Sequence, residues 1–210
     1  MAKIYLLNNQ KFQDVENLEV FEIKHIKSNV NLQDYEALIF TSKNAIYSLD
    51  SFNQNWKKIP SYAIASKTAD IIKQLGGNLV FTGVTSHGND FAEELITLLK
   101  DKKVLYIKAL KTVSNLPEIL KQNKILLDEL VAYETSCKKV DVELEKNSIV
   151  IFTSPSSAEC FFKQYSWDDS YIAIVIGKTT AKFLPKNIKY EISSQTSVEE
   201  CVNLAKQYLF

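Results

Sequence analysis

An internal repeat constrains the fold of this chain more than any other feature of its sequence. The apolar run and the Phe-Thr-Ser step at residues 37–45 recur at residues 149–157. Residues 62–69 and 174–181 form a second pair with the same offset, and each ends in Thr-Ala. Repetition at a fixed offset indicates repeated structural units. Because there are two copies, the sequence predicts a duplicated domain and not a solenoid.

Each copy has the features of a buried strand that leads directly into a helix. Residues 149–152 are continuously apolar, which is typical of a strand covered on both faces in a parallel sheet. Ser42 and Ser154 follow at predicted helix N-cap positions, and Pro155 suits the first helical position. The free N–H groups and the positive dipole end of such a helix attract an anion, by about 0.3–1 kcal/mol per charge.

Polar side chains at these strand-to-helix turns are the candidate ligand-binding residues. Ligands of open α/β sheets bind beyond the carboxyl ends of the strands, where all of the predicted turns would lie. The candidates are Thr41, Ser42, Ser66, Thr68, Thr153, Ser154, Lys178, Thr179 and Thr180. The serines and threonines have an alternative interpretation as ordinary helix caps, since a duplicated cap is still a cap.

The second copy is too short to form a sheet on its own. It has only three predicted strands, which cannot bury both faces of a parallel sheet, so we expect strands at residues 3–7 and 20–23 to join it. The sequence therefore predicts an α/β fold with a ligand cleft between two domains. The discontinuous domain comprises residues 1–25 and 140–210, the inserted domain comprises residues 30–135, and the hinges lie near residues 25–30 and 135–140.

Charge composition limits the partners of the chain. Its 25 acidic and 25 basic residues balance, so no overall field favours nucleic acid or an anionic membrane. All of the basic residues are lysines. Without the guanidinium fork of arginine, a polyanionic ligand would have to be held by backbone N–H groups, hydroxyls and lysines.

The cysteines and the N-terminus indicate a compartment. Cys137, Cys160 and Cys201 are odd in number and widely spaced, which favours reduced thiols in the cytosol over a disulfide framework. We expect Cys160 and Cys201 to be small buried apolar residues. The first residues lack the pattern of a signal peptide, and no apolar run approaches a membrane span, so we predict a cytoplasmic protein.

Several kinds of chemistry lack the residues they need. Residues 177–179 resemble the end of a phosphate-binding loop, but Ile172 stands where that loop requires glycine. No dinucleotide fingerprint occurs, and His25 and His87 lack metal-ligand spacing, so we predict no metal site. There is no nucleophile elbow, although a Ser-His-Asp arrangement stays open. The sequence therefore predicts a site that binds and orients a ligand without a strong acid, base or nucleophile.

Taken in order, these motifs resemble the uroporphyrinogen-III synthase family. They are the strand and Phe-Thr-Ser at 39–42, Thr-Ala at 68–69, Tyr-x-Thr at 133–135, Phe-Thr-Ser-Pro-Ser at 152–156, Gly-x-Thr-Thr-Ala at 177–181, and the final helix opened by Thr196 and Ser197. The resemblance implies two flavodoxin-like α/β domains, with parallel sheets flanked by helices, joined by a two-stranded hinge.

The resemblance also implies an activity. The family closes hydroxymethylbilane, a linear tetrapyrrole with eight carboxylates, to uroporphyrinogen III in heme biosynthesis, with inversion of ring D and loss of water and without a cofactor. Loss of the terminal hydroxyl would give an azafulvene, and attack from the substituted carbon of ring D would give a spiro intermediate. Such a reactive substrate suits a protein that mainly fixes which carbon attacks. We expect a monomer that transiently contacts the enzyme supplying hydroxymethylbilane.

Individual residues acquire expected roles from the resemblance. Tyr133 would assist departure of the hydroxyl, although a strand aromatic that packs at a domain edge is its alternative interpretation. Lys108 stands where the family has an Arg-Gly pattern, and Ser197 opens the final helix; both are candidate substrate ligands. Ala65 replaces a glycine usual in the family. The alternative function is a non-catalytic, two-lobed protein that binds a small molecule.

Overall fold

A computed structural model describes residues 2–209 and divides them into two compact units. The first comes from Met1–Glu22 and Ser136–Phe210, and the second from Ile23–Thr135. Strands β3 (Phe21–His25) and β8 (Leu126–Cys137) are the elements that cross the limits of the units.

The second unit contains a six-stranded sheet with the order β3-β8-β7-β4-β5-β6. All pairs from β8 to β6 are parallel. The other strands are β4 (Ala37–Phe40), β5 (Ser61–Ala63), β6 (Leu79–Thr82) and β7 (Lys103–Ala109). Its helices are α1 (Lys43–Phe52), α2 (Ser66–Gln74), α3 (Gly88–Leu98) and α4 (Leu116–Gln122), and 3₁₀ turns cover Leu32–Asp34 and Gln54–Lys58.

The first unit contains a parallel five-stranded sheet with the order β11-β10-β9-β1-β2. Its strands are β1 (Ile4–Leu6), β2 (Glu16–Asn17), β9 (Ile149–Phe152), β10 (Ile172–Val175) and β11 (Tyr190–Ile192). Its helices are α5 (Pro155–Phe162), α6 (Lys178–Ala181) and α7 (Val198–Lys206), followed by a 3₁₀ turn at Gln207–Leu209.

The duplication predicted from sequence is confirmed by the element boundaries. The first and last residues of β4 and β9 are separated by the offset of the sequence repeat, and so are the first residues of α1 and α5 and of α2 and α6. When strands are numbered from β4 and from β9, five strands of each sheet have the doubly wound order 3-2-1-4-5, and β3 adds a sixth strand at one edge of the second unit's sheet. In the first unit, the N-terminal strands β1 and β2 supply positions 4 and 5. The two units therefore have one topology, although the chain enters it at different points.

Apolar side chains cover both faces of the central strand in each sheet, which explains why these strands lack polar alternation. In β4, Leu38 and Phe40 pack with Trp56 on one face, whereas Ala37 and Ile39 pack with α3 and α4 on the other. Strand β9 divides its residues between two clusters in the same way. The predicted α/β class with parallel sheets flanked by helices is thus confirmed.

One predicted strand joins the other sheet. We expected residues 20–23 to extend the sheet that contains β9, but β3 lies at the edge of the six-stranded sheet beside β8. The strand that joins the first unit's sheet instead of residues 20–23 is β2, whose two polar residues pair with β1. The amide of Asn17 donates to the carbonyls of Asn8 at 2.8 Å and Gln10 at 2.7 Å. Strand β2 has no apolar residue and is held by polar side-chain hydrogen bonds. Hydrophobic periodicity therefore could not predict it.

The expectation of three reduced thiols is wrong for two of the cysteines. Cys137 and Cys160, which are 23 residues apart, form a disulfide, whereas Cys201 is a free buried thiol. The number and spacing of the cysteines did not predict this bond. It forms because the end of β8 lies beside α5, and that contact cannot be read from sequence separation.

Membrane-spanning helices and metal clusters are both absent from the part of the chain that the structure describes. Within residues 2–209, no helix combines the length and apolar character needed to cross a bilayer. The same residues contain no group of three or more His, Cys, Asp or Glu side chains placed to hold a metal ion.

Candidate functional site

A threonine bridges the topological switch point of each sheet. The switch points lie between β4 and β7 and between β9 and β1, where strand order reverses. Just beyond β4, the Thr41 hydroxyl lies 2.9 Å from the Tyr106 hydroxyl on β7. Just beyond β9, Thr153 Oγ1 donates to the Leu7 carbonyl after β1 at 3.4 Å. The two threonines occupy matching positions of the sequence repeat, and each lies at the switch-point crevice of its own sheet.

In the second unit, Ser42 lies at the α1 N-terminus and near the Tyr133 side chain. Ser42 Oγ accepts the Asn44 N–H at 3.2 Å, which confirms the predicted N-cap. Burial raises the pKa of Tyr133, and the neighbouring Ser42 side chain partly opposes that shift. The phenol is therefore protonated at neutral pH, and the residue near it, Ser42, is fixed in place as the N-cap of α1.

A β-bulge sets the direction of Tyr133. Lys108 pairs with Val131 and Ala109 pairs with Tyr133, so β8 has an extra residue between the two pairs. Ala132 and Tyr133 consequently both pack in the cluster beneath α1, although successive strand residues normally face opposite ways. Bulges re-aim side chains next to functional sites.

In the first unit, the Ser154 turn is closed by its own side chains. Ser154 Oγ accepts from Ser157 N at 3.1 Å, and Ser157 Oγ accepts from Ser154 N at 3.0 Å. Ser157 Oγ also accepts from Thr153 N at 3.1 Å. This capping box confirms Ser154 as an N-cap and uses N–H groups that could otherwise have met a ligand.

The next turn in each unit has no such closure. Ile64 N donates to Phe40 O and Ile176 N donates to Phe152 O, each at 3.0 Å, which places the starts of α2 and α6 beside the first turns. Both helices lack a side-chain cap, so their first N–H groups are open to a ligand. Ser66, Lys178 and Thr179 occupy these first turns, whereas Thr68 and Thr180 are buried third residues.

Charge distinguishes these helix starts from the others. The first turns of α1, α2, α5 and α6 contain no acidic residue, whereas α3, α4 and α7 begin with Asp90, Glu118 and the pair Glu199 and Glu200. Three of the acid-free starts carry exposed lysines, and among residues 2–209 no carboxylate pairs with them. These lysines are Lys43, Lys67 and Lys178. A cation there opposes the helix dipole, so this arrangement favours a bound anion.

Two predicted ligands have less favourable surroundings. Lys108 Nζ donates to Glu129 on the adjacent strand at 2.7 Å, and this lysine, followed by Lys121, lowers the pKa of Glu129. Ser197 precedes α7 without capping it, and the two glutamates of that first turn already supply negative charge. Lys108 and Ser197 stay predictions, but the glutamates beside them make their surroundings less suitable for an anion than the acid-free starts of α2 and α6.

Sequence reasoning missed three residues of this arrangement. Tyr106 is buried, burial raises its pKa to about 12, and its only signal was a tyrosine within an apolar strand. Lys43 and Lys67 did have a readable signal, because lysine without an acidic neighbour in a first helical turn contradicts the usual preference.

Comparisons with known proteins identify the family. A family model described as uroporphyrinogen-III synthase HemD matches residues 16–203. The chain belongs to this family. The crystal structure of uroporphyrinogen-III synthetase from Helicobacter pylori 26695 is 30% identical, covers 99% of both chains and superposes with a TM-score of 0.86. The predicted resemblance to the uroporphyrinogen-III synthase family is confirmed.

Two more distant proteins are also similar to the chain, one in fold and one in sequence. A mutant uroporphyrinogen-III synthase from Thermus thermophilus is 13% identical, covers 100% of this chain and 99% of its own, and has a TM-score of 0.62. It supports the fold alone. The porphyrin biosynthesis protein HemD of Ruminiclostridium josui is 26% identical over 192 residues, or 82% of this chain. The chain spans 38% of the length of that curated relative.

The Ser157 hydroxyl should matter more for folding than its neighbour. Ser157→Ala removes the acceptor of two N–H groups, so we expect the free energy of unfolding to fall by about 1–3 kcal/mol. Ser156→Ala is the matched control, because Ser156 makes no side-chain hydrogen bond among the described residues; we expect a change within about 0.5 kcal/mol. Urea denaturation of both variants measures the difference, and equal effects would contradict the hydrogen-bonding account.

Proposed function

We propose that this chain closes hydroxymethylbilane to uroporphyrinogen III, with inversion of ring D and loss of water. The observation that carries the proposal is the set of acid-free helix starts at the carboxyl ends of the strands, whose lysines have no carboxylate partner within residues 2–209. A substrate with eight carboxylates matches that surface, and membership of the uroporphyrinogen-III synthase family supports catalysis over simple binding.

Tyr133 is the proposed proton donor in the first step. The Ser42 hydroxyl accepts from Asn44 N and can donate its own proton to the Tyr133 oxygen. The phenol proton is then free to point toward the departing hydroxyl of the substrate. As the carbon–oxygen bond breaks, this proton completes a water molecule, and loss of the pyrrole N–H proton yields the azafulvene and can restore the phenol.

The remaining candidates hold the substrate rather than react with it. Open N–H groups at α2 and α6 donate to carboxylates, together with Ser66, Thr179 and the nearby lysines. Thr41, Ser42, Thr153 and Ser154 hold their turns in place through the bonds described above, which fixes the positions of these donors. Correct placement is the main requirement, because an azafulvene reacts without further activation.

The cellular setting is part of the proposal. We propose a cytoplasmic monomer that works without a resident metal or cofactor and receives hydroxymethylbilane from the enzyme that makes it. We also propose that residues 1–25 with 140–210, and residues 30–135, are separate domains.

The product isomer tests the proposed activity directly. Hydroxymethylbilane closes spontaneously to the type I isomer, so we expect added protein to shift the product to type III. Hydroxymethylbilane generated enzymatically would be incubated with and without the protein, then oxidised and separated as porphyrins. A product that stays type I at high protein concentration would contradict catalysis and favour the alternative of a binding protein.

Replacing the Tyr133 phenol should affect the chemical step. We expect Tyr133→Phe to lower kcat by about a hundredfold, the low end for a general acid, with little change in KM. The control is Tyr62→Phe, which removes another buried phenol of the same unit, one whose hydroxyl accepts from Lys102 Nζ at 3.2 Å. Initial rates at saturating substrate give the comparison. An unchanged kcat would leave Tyr133 as a packing residue.

Lysines at the open helix starts should affect substrate binding. We expect Lys67→Ala and Lys178→Ala each to raise KM by about two- to fivefold, as for exposed charge pairs, while kcat stays near its original value. Lys73→Ala is a matched control, because Lys73 is exposed in the last turn of the same helix as Lys67. Added salt should reduce the difference between Lys67→Ala and the original protein. Equal KM changes for Lys67→Ala and Lys73→Ala would contradict a local role.

A further inference from the structure

The disulfide joins two segments that border candidate site residues. Cys137 is the last residue of β8, four positions after Tyr133. Cys160 lies in α5, six positions after Ser154. The bond therefore fastens the chain that leaves β8 onto the helix whose N-terminus begins at the Ser154 turn.

The two disulfide-bonded residues differ in exposure. Cys137 is exposed, whereas Cys160 is 3% exposed within an apolar cluster. Attack by a thiolate from solution is therefore expected at Cys137 and not at the buried Cys160. The remaining thiol does not compete, because Cys201 is fully buried and burial raises its pKa.

We propose that Cys137 and Cys160 form a reversible thiol–disulfide exchange site, which fastens the end of β8 to α5 when oxidised and loosens the chain beside Cys137 when reduced. This inference rests on the proposed cytoplasmic location, since disulfides of cytosolic proteins are usually transient or redox-sensing. The reductant is a dithiol. One of its thiolates attacks the Cys137 sulfur, the disulfide breaks, and Cys160 leaves as a thiolate that takes up a proton. The second thiol resolves the mixed disulfide and frees Cys137, so two electrons pass to the protein.

Residues 138–148, which follow Cys137, contain neither helix nor strand. Hydrogen bonds to the residues after α5 hold the start of this segment independently of the disulfide. The Gln164 side chain donates to Lys138 O at 2.8 Å and accepts from Val140 N at 2.9 Å. The Tyr165 hydroxyl donates to Val142 O at 2.9 Å. We therefore expect reduction to leave the unit folded and to loosen this segment without detaching it.

Thiol counting tests the exchange site without reference to enzyme activity. Protein purified without reductant would be denatured, labelled with a maleimide and weighed by mass spectrometry; we expect one labelled cysteine, Cys201. After treatment of the folded protein with dithiothreitol, we expect three, and removal of the reductant in the presence of oxidised glutathione should restore one. Three thiols that glutathione leaves unchanged would overturn the proposal. A disulfide that resists dithiothreitol until the protein unfolds would also overturn it.

Limited proteolysis tests the conformational consequence. Lys138, Lys139 and Lys146 are exposed trypsin sites in the loosened segment, so the reduced protein should be cut there several-fold faster than the oxidised protein. Cys137→Ala should be cut at the fast rate under both conditions. It should also melt roughly 5–10 °C lower than the oxidised protein. Cys201→Ala, which keeps the disulfide, should retain the redox difference. Equal cleavage of oxidised and reduced protein would overturn the proposed loosening.

Discussion

Parallel strands place the positive ends of their helices at one edge of the sheet, and this constraint governs the candidate site. Helices elsewhere in the chain neutralise that end with acidic residues such as Asp90 and Glu118. The first turns of α1, α2 and α6 carry a lysine instead. Its positive charge lies at the positive end of the helix dipole, which is unfavourable by about 0.3–1 kcal/mol for each helix. A bound carboxylate removes that cost, so the unfavourable local charge is consistent with selection for ligand binding and not for stability.

Duplication explains how a chain without arginine assembles such a surface. Each unit repeats the same two turns, and in each unit a threonine ties the first turn to the strand across the switch point. The number of donors is thereby doubled without any strong individual contact. The first unit completes its sheet with the N-terminal strands β1 and β2 instead of β7 and β8. The same candidate edge thus forms from segments that are distant in sequence.

Local signals explain which parts were predictable from sequence. Apolar runs and caps depend on neighbouring residues, so strand β9 and the caps at Ser42 and Ser154 were predicted correctly. The alignment of one strand with another that is distant in sequence is not encoded by the residues next to it in the chain. The hydroxyl contact between Thr41 and Tyr106, and the bulge that turns Tyr133, depend on how β7 aligns with its neighbours. The disulfide was missed for the same reason, since it depends on where β8 ends relative to α5.

Two differences between the repeats concern the proposed proton donor. Ser157 occupies the position that is equivalent to Ala45 in the earlier copy of the repeat. In the first unit, the Ser157 hydroxyl closes the turn around Ser154. In the second unit, the methyl group of Ala45 offers no such partner, and the Ser42 side chain lies near the Tyr133 phenol, where it partly opposes the pKa shift that burial causes. Strand β2, which corresponds to β8, has two residues and no tyrosine. Both units therefore carry acid-free helix starts, and the proposed proton donor, Tyr133, belongs to the second unit.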